Sequence, residues 1–248
     1  MSKVFAESLE EGIFLLNIND PDNKNRFNDE LLFELIVVLK NLSLESTLKV
    51  VIVTGCPDVF SAGGSLEYLR KFAREEAQAK DLFVLPNEIF SFPVPVIGAL
   101  QGHAIGGGLI LALCCDILVA AESSRYGVNF TNMGFTPGMG TTSLLPILVG
   151  HHFASEMILT GKLYKGKELE ERGLFNYVVP AEQVLEVALN IARRIAEKPR
   201  HVLEMVKGSL SLPRREILQE AMFREHLMHK ICFSRSDTAA HIDATYLA

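Results

Sequence analysis

Residues 102–110 read GHAIGGGLI; they follow the apolar run VPVIGAL (94–100) and continue into the helix-like stretch LILALCC (109–115). A strand buried on both faces is written as a continuous apolar run, and this one ends on glycines that open into a buried helix. The first amides of a helix have no acceptor in their own helix, so they present N–H groups and the positive end of the helix dipole to whatever lies in front. Glycine lets a ligand come close to that backbone. The stretch therefore reads as an anion site, for a phosphate or for the enolate of a thioester.

The same pattern recurs on either side. LKVVIVTG (48–55) is a short β-branched run followed by a second small-residue turn, FSAGGS (60–65), and by the charged helical stretch 66–81. CDILVAAES (115–123) is a third buried run. Residues 4–19 predict a strand pair, and a helix is expected over about 28–41 after the turn NDPDNKNRF (19–27). Strand–helix alternation of this kind predicts an α/β protein with a parallel sheet. Beyond Pro137 the text is helical, with expected helices over 144–160, 165–172, 181–197, 199–210 and 214–233 and only NYVVP as a strand. AEKPR (196–200) interrupts these helices, which suggests a core domain over 1–197 and a C-terminal helical region over 198–248.

The chain has 248 residues, 48% of them hydrophobic and 22% charged, with a mean hydropathy of +0.22. That composition excludes a disordered chain and suffices for a sizeable core. A net charge of −6 gives no electrostatic footprint for nucleic acid. No apolar run approaches the roughly 18 residues of a membrane span, and the opening MSKVFAESLEEG lacks the apolar stretch of a signal peptide, so a cytoplasmic protein is expected. Cys56, Cys114, Cys115 and Cys232 show no CxxC or His-rich spacing; they read as reduced, buried thiols, and no metal site is expected. GHAIGGG does not match G-x-G-x-x-G and no Walker loop is present, which removes the common nucleotide fingerprints.

Two glycine turns, Ala62-Gly63-Gly64 and Gly106-Gly107-Gly108, each follow a predicted strand and precede a helix, so they can converge at one sheet edge, where two amides aimed at one oxygen make an oxyanion hole. Read locally, both are equally well tight turns. VVIVTG, FSAGG, PVIGALQGHAIGGG, CDILVAAES, GFTPGMGTT and ILTGKLYKGKELEERGLFNYVVP, in this order and spacing, resemble the enoyl-CoA hydratase/isomerase (crotonase) superfamily over about residues 12–200. The resemblance implies a crotonase (ClpP-like) spiral of ββα units with a C-terminal helical region, assembled as a homotrimer or dimer of trimers. It implies that the Gly64 and Gly107 amides hold a thioester oxygen as an enolate.

Hydratases of the family carry one glutamate two residues past the triple glycine and another before the G-x-x-P-G turn; here Ile110 and Phe130 stand in those places. Neither takes a proton, so hydration by that mechanism is not expected. With GFTPGMG and the late LMHKICF, the chain is similar to a narrower group, the hydratase-like decarboxylases of polyketide β-branching cassettes. Those convert a methylglutaconyl thioester on an acyl carrier protein to methylcrotonyl. The similarity implies a lyase of antibiotic-type polyketide biosynthesis, with no metal or redox cofactor and the substrate on phosphopantetheine of a carrier protein or coenzyme A. It implies a catalytic histidine from the C-terminal helix and a lysine from the segment after the first glycine turn.

His229 suits the first role. Leu218, Met222, His226, His229 and Phe233 fall on one predicted helical stripe, with His226 as competitor and Glu225 as the expected partner favouring the imidazolium. Lys80 is favoured over Lys71 for the second, and Tyr68 for seating a carboxylate. Lys165, Lys167 and Lys207 are candidates for a pantetheine phosphate, and His103 is expected to serve structure. Two other readings stay open: a double-bond isomerase using His229 as base, and a non-catalytic subunit that binds thioesters or assembles partners.

Overall fold

The computed structural model describes residues 2–73 and 84–247. Strands β1 (Val4–Glu10) and β2 (Ile13–Ile18) form a hairpin, followed by helix α1 (Asp29–Ser43). Three turns of a spiral come next, each a strand in a large sheet, a three-residue strand in a small one, and a helical return. The first comprises β3 (Val50–Thr54), β4 (Val59–Ser61), α2 (Leu66–Ala73) and α3 (Val84–Phe90). The second comprises β5 (Val96–Leu100), β6 (His103–Ile105) and α4 (Gly107–Leu113), and the third β7 (Ile117–Ala121), β8 (Arg125–Gly127) and α5 (Thr141–Val149). Then follow α6 (His151–Thr160), β9 (Tyr164–Lys165), α7 (Gly166–Leu169), β10 (Tyr177–Val179), α8 (Val184–Ala196), α9 (Arg200–Phe233) and α10 (Ser236–Leu247).

The large sheet has the order β1-β2-β3-β5-β7-β10, parallel from β2 onward, and the small one β4-β6-β8-β9, parallel up to β8. This is the spiral of ββα units. Its central strands alternate between two apolar environments rather than between core and water, which is why they read as unbroken apolar runs. Val50, Ile52, Ile97, Ala99 and Val119 pack under α8 through Val184, Ala188 and Ala192. Val51, Val53, Val96, Leu118 and Ala120 face the main core with α1 and α4. Helix α1 buries Leu31, Leu35, Leu39 and Leu42, and its cap Asn28 accepts from the Leu31 amide at 2.8 Å.

Two expectations are corrected here. The glycine stretch does not pass straight from β5 into α4: the short β6 intervenes, pinned where the exposed His103 accepts from the Arg125 amide at 3.0 Å. The separate helices at 199–210 and 214–233 are one 34-residue helix that runs through Pro213. Proline normally ends a helix, costing about 3 kcal/mol or more inside one. Here polar anchors hold both sides of it, a buried one before it and a half-buried one after it. Lys207 Nζ reaches both oxygens of Asp116 at 2.7 Å, and Arg214 donates to the Leu113 and Cys115 carbonyls while stacking on Phe90 at 4.4 Å. Cys56, Cys114 and Cys115 are buried free thiols, and burial pushes the Cys114 thiol up to about 12. No helix among the described residues is long and apolar enough to cross a membrane.

Candidate active site

Strand β4 ends on Ser61 and the chain turns through Gly63, at φ +80°. Phe27 clamps this turn from outside: its amide donates to the Gly63 carbonyl at 2.7 Å, and its carbonyl accepts from Ser65 at 2.9 Å. The second turn pivots on Gly106, at φ +57°, and starts α4 at Gly107. The two turns lie against each other. A Cβ on Gly63 would stand 2.9 Å from the Ile105 carbonyl oxygen and 3.3 Å from the Gly107 nitrogen, and one on Gly108 2.2 Å from the Ser61 oxygen. Both glycine clusters are thus required by one close approach, and Gly64 and Gly107 face a common cavity.

That cavity has a wide mouth of about 330 Å³ and an inner pocket of about 40 Å³. Gly64, Gly107, Leu69, Phe130 and Phe135 line both; Lys24 and Arg26 stand at the mouth, and Tyr68, Met139, His229 and Phe233 close the interior. No carboxylate side chain lines either part among the described residues. Phe130 is therefore a wall of the cavity, whereas Ile110 lies fully buried in α4, outside the lining. Met139 holds φ +60°, a left-handed conformation that costs a residue with a side chain about 1–2 kcal/mol, and so brings its thioether against Gly107.

His229 is 3% exposed, edge-on to Phe233 and Phe135 at 5.5 and 6.3 Å between ring centres. Its Nε2 lies 2.8 Å from the Thr136 carbonyl oxygen, and its Nδ1 is buried with no hydrogen-bond partner among the described residues. Glu225 does not pair with it. That carboxylate accepts from the Gly140 amide at 2.8 Å, the Thr142 amide at 2.9 Å and the Thr142 hydroxyl at 2.7 Å, and burial pushes it above the ordinary carboxylate range against these hydrogen bonds. The expected imidazolium is corrected accordingly: burial lowers the His229 pKa, the Thr136 carbonyl opposes this, His226 adds to it, and the Pro137 carbonyl opposes it. The buried stripe of α9 is Leu218, Ala221, Glu225, His229 and Phe233, so Met222 and His226 sit beside it, half-buried.

Lys80 lies outside the described residues. Lys71 forms an ion pair with Asp29 and does not line the cavity. Nor do the phosphate candidates: Lys207 is buried on Asp116, Lys167 pairs with Glu170, and Lys165 is exposed on β9. The cations at the mouth, Lys24 and Arg26, come instead from the turn that reads only as a loop. Lys24 and Asn25 both adopt left-handed φ there, at 55° and 49°. Asn25 locks this turn, its side chain accepting from the Asp20 amide at 2.7 Å and donating to the Ile18 and Phe60 carbonyls at 2.8 and 3.0 Å. Among the described residues no group of three or more His, Cys, Asp or Glu side chains could hold a metal ion.

A family model for enoyl-CoA hydratase/isomerase matches residues 8–244. The chain belongs to this family. Within the enoyl-CoA hydratase/isomerase family it is similar to the bacillaene synthase decarboxylase PksI of Bacillus subtilis (strain 168), 34% identical over 242 residues that span 96% of this chain and 95% of that one. A solved structure of a dehydratase/decarboxylase enzyme couple involved in polyketide β-branching matches at TM-score 0.95 and 34% identity, covering 99% of this chain and 96% of the other. The ECH2 decarboxylase domain of CurF from Lyngbya majuscula matches at TM-score 0.91 and 34% identity, covering 99% and 100%. The departure at Phe130 thus occurs in a chain whose similarities run to decarboxylases as well as to the family at large.

Proposed function

We propose that this protein is a lyase of polyketide β-branching that removes carbon dioxide from a methylglutaconyl thioester and leaves methylcrotonyl. The observation that carries the reading is a cavity in which two glycine turns face a buried imidazole, with no carboxylate side chain among the described lining residues. Such a site lacks the glutamates that activate water, but a carbanion formed by losing carbon dioxide needs no base to start it. The bond to the carboxylate carbon breaks, its electron pair moves into the conjugated thioester, and the Gly64 and Gly107 amides hold the oxygen of the resulting dienolate. His229 protonates the dienolate, which gives the product. Lys80 pairs with the substrate carboxylate, a role for which Lys71 is poorly disposed because Asp29 already holds it.

The substrate's handle is phosphopantetheine on an acyl carrier protein, with coenzyme A as the alternative. Lys24 and Arg26 at the mouth supply positive charge for its phosphate. Reduced thiols fit a cytoplasmic setting. Exposed apolar side chains along α9, among them Leu210, Phe223, Leu227 and Ile231, support assembly as a homotrimer or dimer of trimers. One observation favours a second reading, the double-bond isomerase: an imidazole nitrogen with no partner among the described residues is also what a base would need.

Carbon dioxide release from a methylglutaconyl thioester, offered on both handles, separates the two. Double-bond migration without it selects the isomerase, and binding without turnover a non-catalytic subunit. In the same assay Lys80→Ala is expected to lower kcat/KM for the carboxylated substrate while leaving binding of the product thioester nearly unchanged. Lys71→Ala should act like wild type; the reverse pattern would move the role to Lys71. Phe130→Glu should slow carbon dioxide release, because a carboxylate on the cavity wall repels both the substrate's own carboxylate and the enolate. An unchanged rate would remove Phe130 from the reaction.

A further inference from the structure

A thioester carbon is joined to its handle through sulfur, two methylenes and a secondary amide, whether that handle is a carrier protein or coenzyme A. We infer that the Asn129 carboxamide at the cavity mouth accepts from the N–H of this amide, and so sets the depth at which the thioester meets Gly64 and Gly107. The inference rests on the decarboxylase reading above for the place of the thioester oxygen.

The small sheet brings Asn129 to this spot. Strands β6 and β8 run parallel with Ile105 opposite Gly127, and the Gly106 amide donates to the Gly127 carbonyl at 2.8 Å. Asn129 follows two residues after β8 ends, so it stands beside the glycine turn that leaves β6. Its Oδ1 lies 3.3 Å from where a Cβ on Gly106 would be, one residue before the Gly107 amide. Asn129 is also the N-cap of the short 3-10 turn Phe130–Met133, a position where asparagine ordinarily accepts from an amide of its own turn. Here its side chain makes no such bond, and the half-buried residue lines the mouth.

The spacing suits the arm. Standard bond lengths put Oδ1 within about 7 Å of the Gly107 nitrogen. The arm's amide nitrogen comes about 4–6 Å from its thioester oxygen, which itself sits about 3 Å from the amide that holds it. A hydrogen bond of ordinary length spans what is left.

Chemistry selects the same partner. Among the described residues lining the mouth, the side chains of Lys24 and Arg26 only donate, Met133 offers a weakly accepting thioether, and the others are apolar or glycine. The carboxamide of Asn129 is the side chain there that accepts well from an N–H. Being neutral, it holds the arm without a charge that would repel the dienolate.

The test replaces one atom of the substrate. N-Acetylcysteamine thioesters keep the arm's amide, and 2-acetoxyethyl thioesters put an ester oxygen where its N–H stands. With methylglutaconyl on both, wild-type kcat/KM for carbon dioxide release should favour the amide about three- to tenfold, the ordinary yield of one hydrogen bond. Asn129→Leu should bring that ratio to about one. Asn129→Asp retains an acceptor and should retain the preference, since the ratio cancels whatever the added carboxylate does to both substrates. A merely structural asparagine would change both rates and leave their ratio alone. Competitive binding of methylcrotonyl on the same two handles reads the preference without turnover. Equal rates for amide and ester in the wild type, or a preference that survives Asn129→Leu, would overturn the inference and leave the decarboxylase reading standing. Amide-selective binding that depends on Asn129, with no carbon dioxide released from either substrate, would overturn that reading and keep the subsite.

Discussion

Gly107→Pro is expected to lower turnover by about 10²–10³ relative to Gly107→Ala while the protein stays folded. Gly107 is the first residue of α4, where proline is tolerated because the amide has no partner in its own helix. What proline removes is the donor proposed to meet the thioester oxygen, and the loss of one such donor costs roughly that factor. The alanine control matters: a Cβ here meets the Met139 sulfur at 3.0 Å and the Phe27 ring at 3.2 Å, so both variants share that Cβ contact and only proline loses the N–H. Steady-state rates with circular dichroism of both variants read the effect. Equal rates would place the oxygen elsewhere.

Glu225→Ala should be the costliest of these changes for stability, by about 3–5 kcal/mol, since a buried donor left without its acceptor costs about 1–3 kcal/mol and Glu225 serves the buried Gly140 amide and two part-buried donors of Thr142. At roughly 2–4 °C per kcal/mol for a chain of this size, the melting temperature should drop by about 10 °C. The same change releases the turn that carries Met139, so the inner pocket should lose its shape before the sheet loses its order. Thermal melts followed in parallel with thioester binding would read both. A shift under about 2 °C would mean that the carboxylate is not what ties α9 to that turn.

What was legible in the sequence was local. Each buried strand carries its own apolar run, and each glycine turn its own punctuation, so β3, β5, β7 and the two turns follow from reading along the chain. The strands β4, β6 and β8 did not, because three residues are too few to show a period. The C-terminal helix shows the other limit. Its residues are helical by pattern, but which of Glu225, His226 and His229 face inward depends on the phase set by Lys207 and Arg214 clamping onto Asp116 and the end of α4. A helical wheel drawn through Met222 and His226 is off by part of a turn for that reason. Lys24 and Arg26 were hidden differently: two left-handed residues in a polar loop look like any other turn until Asn25 is seen holding the neighbouring strands together.

The long helix also gives the site a place in time. Every strand and both glycine turns precede α9 in the chain, so during synthesis the walls made by Phe27, Phe130 and Phe135 emerge before the helix that closes them. Until α9 docks, that apolar lining is open to whatever else the nascent chain meets, and exposed apolar surface of this kind is where misassembly begins. The imidazole arrives with the element that ends the exposure. The imidazole proposed to react and the cover over the apolar walls are therefore acquired in one event, and a chain cut short before α9 has neither.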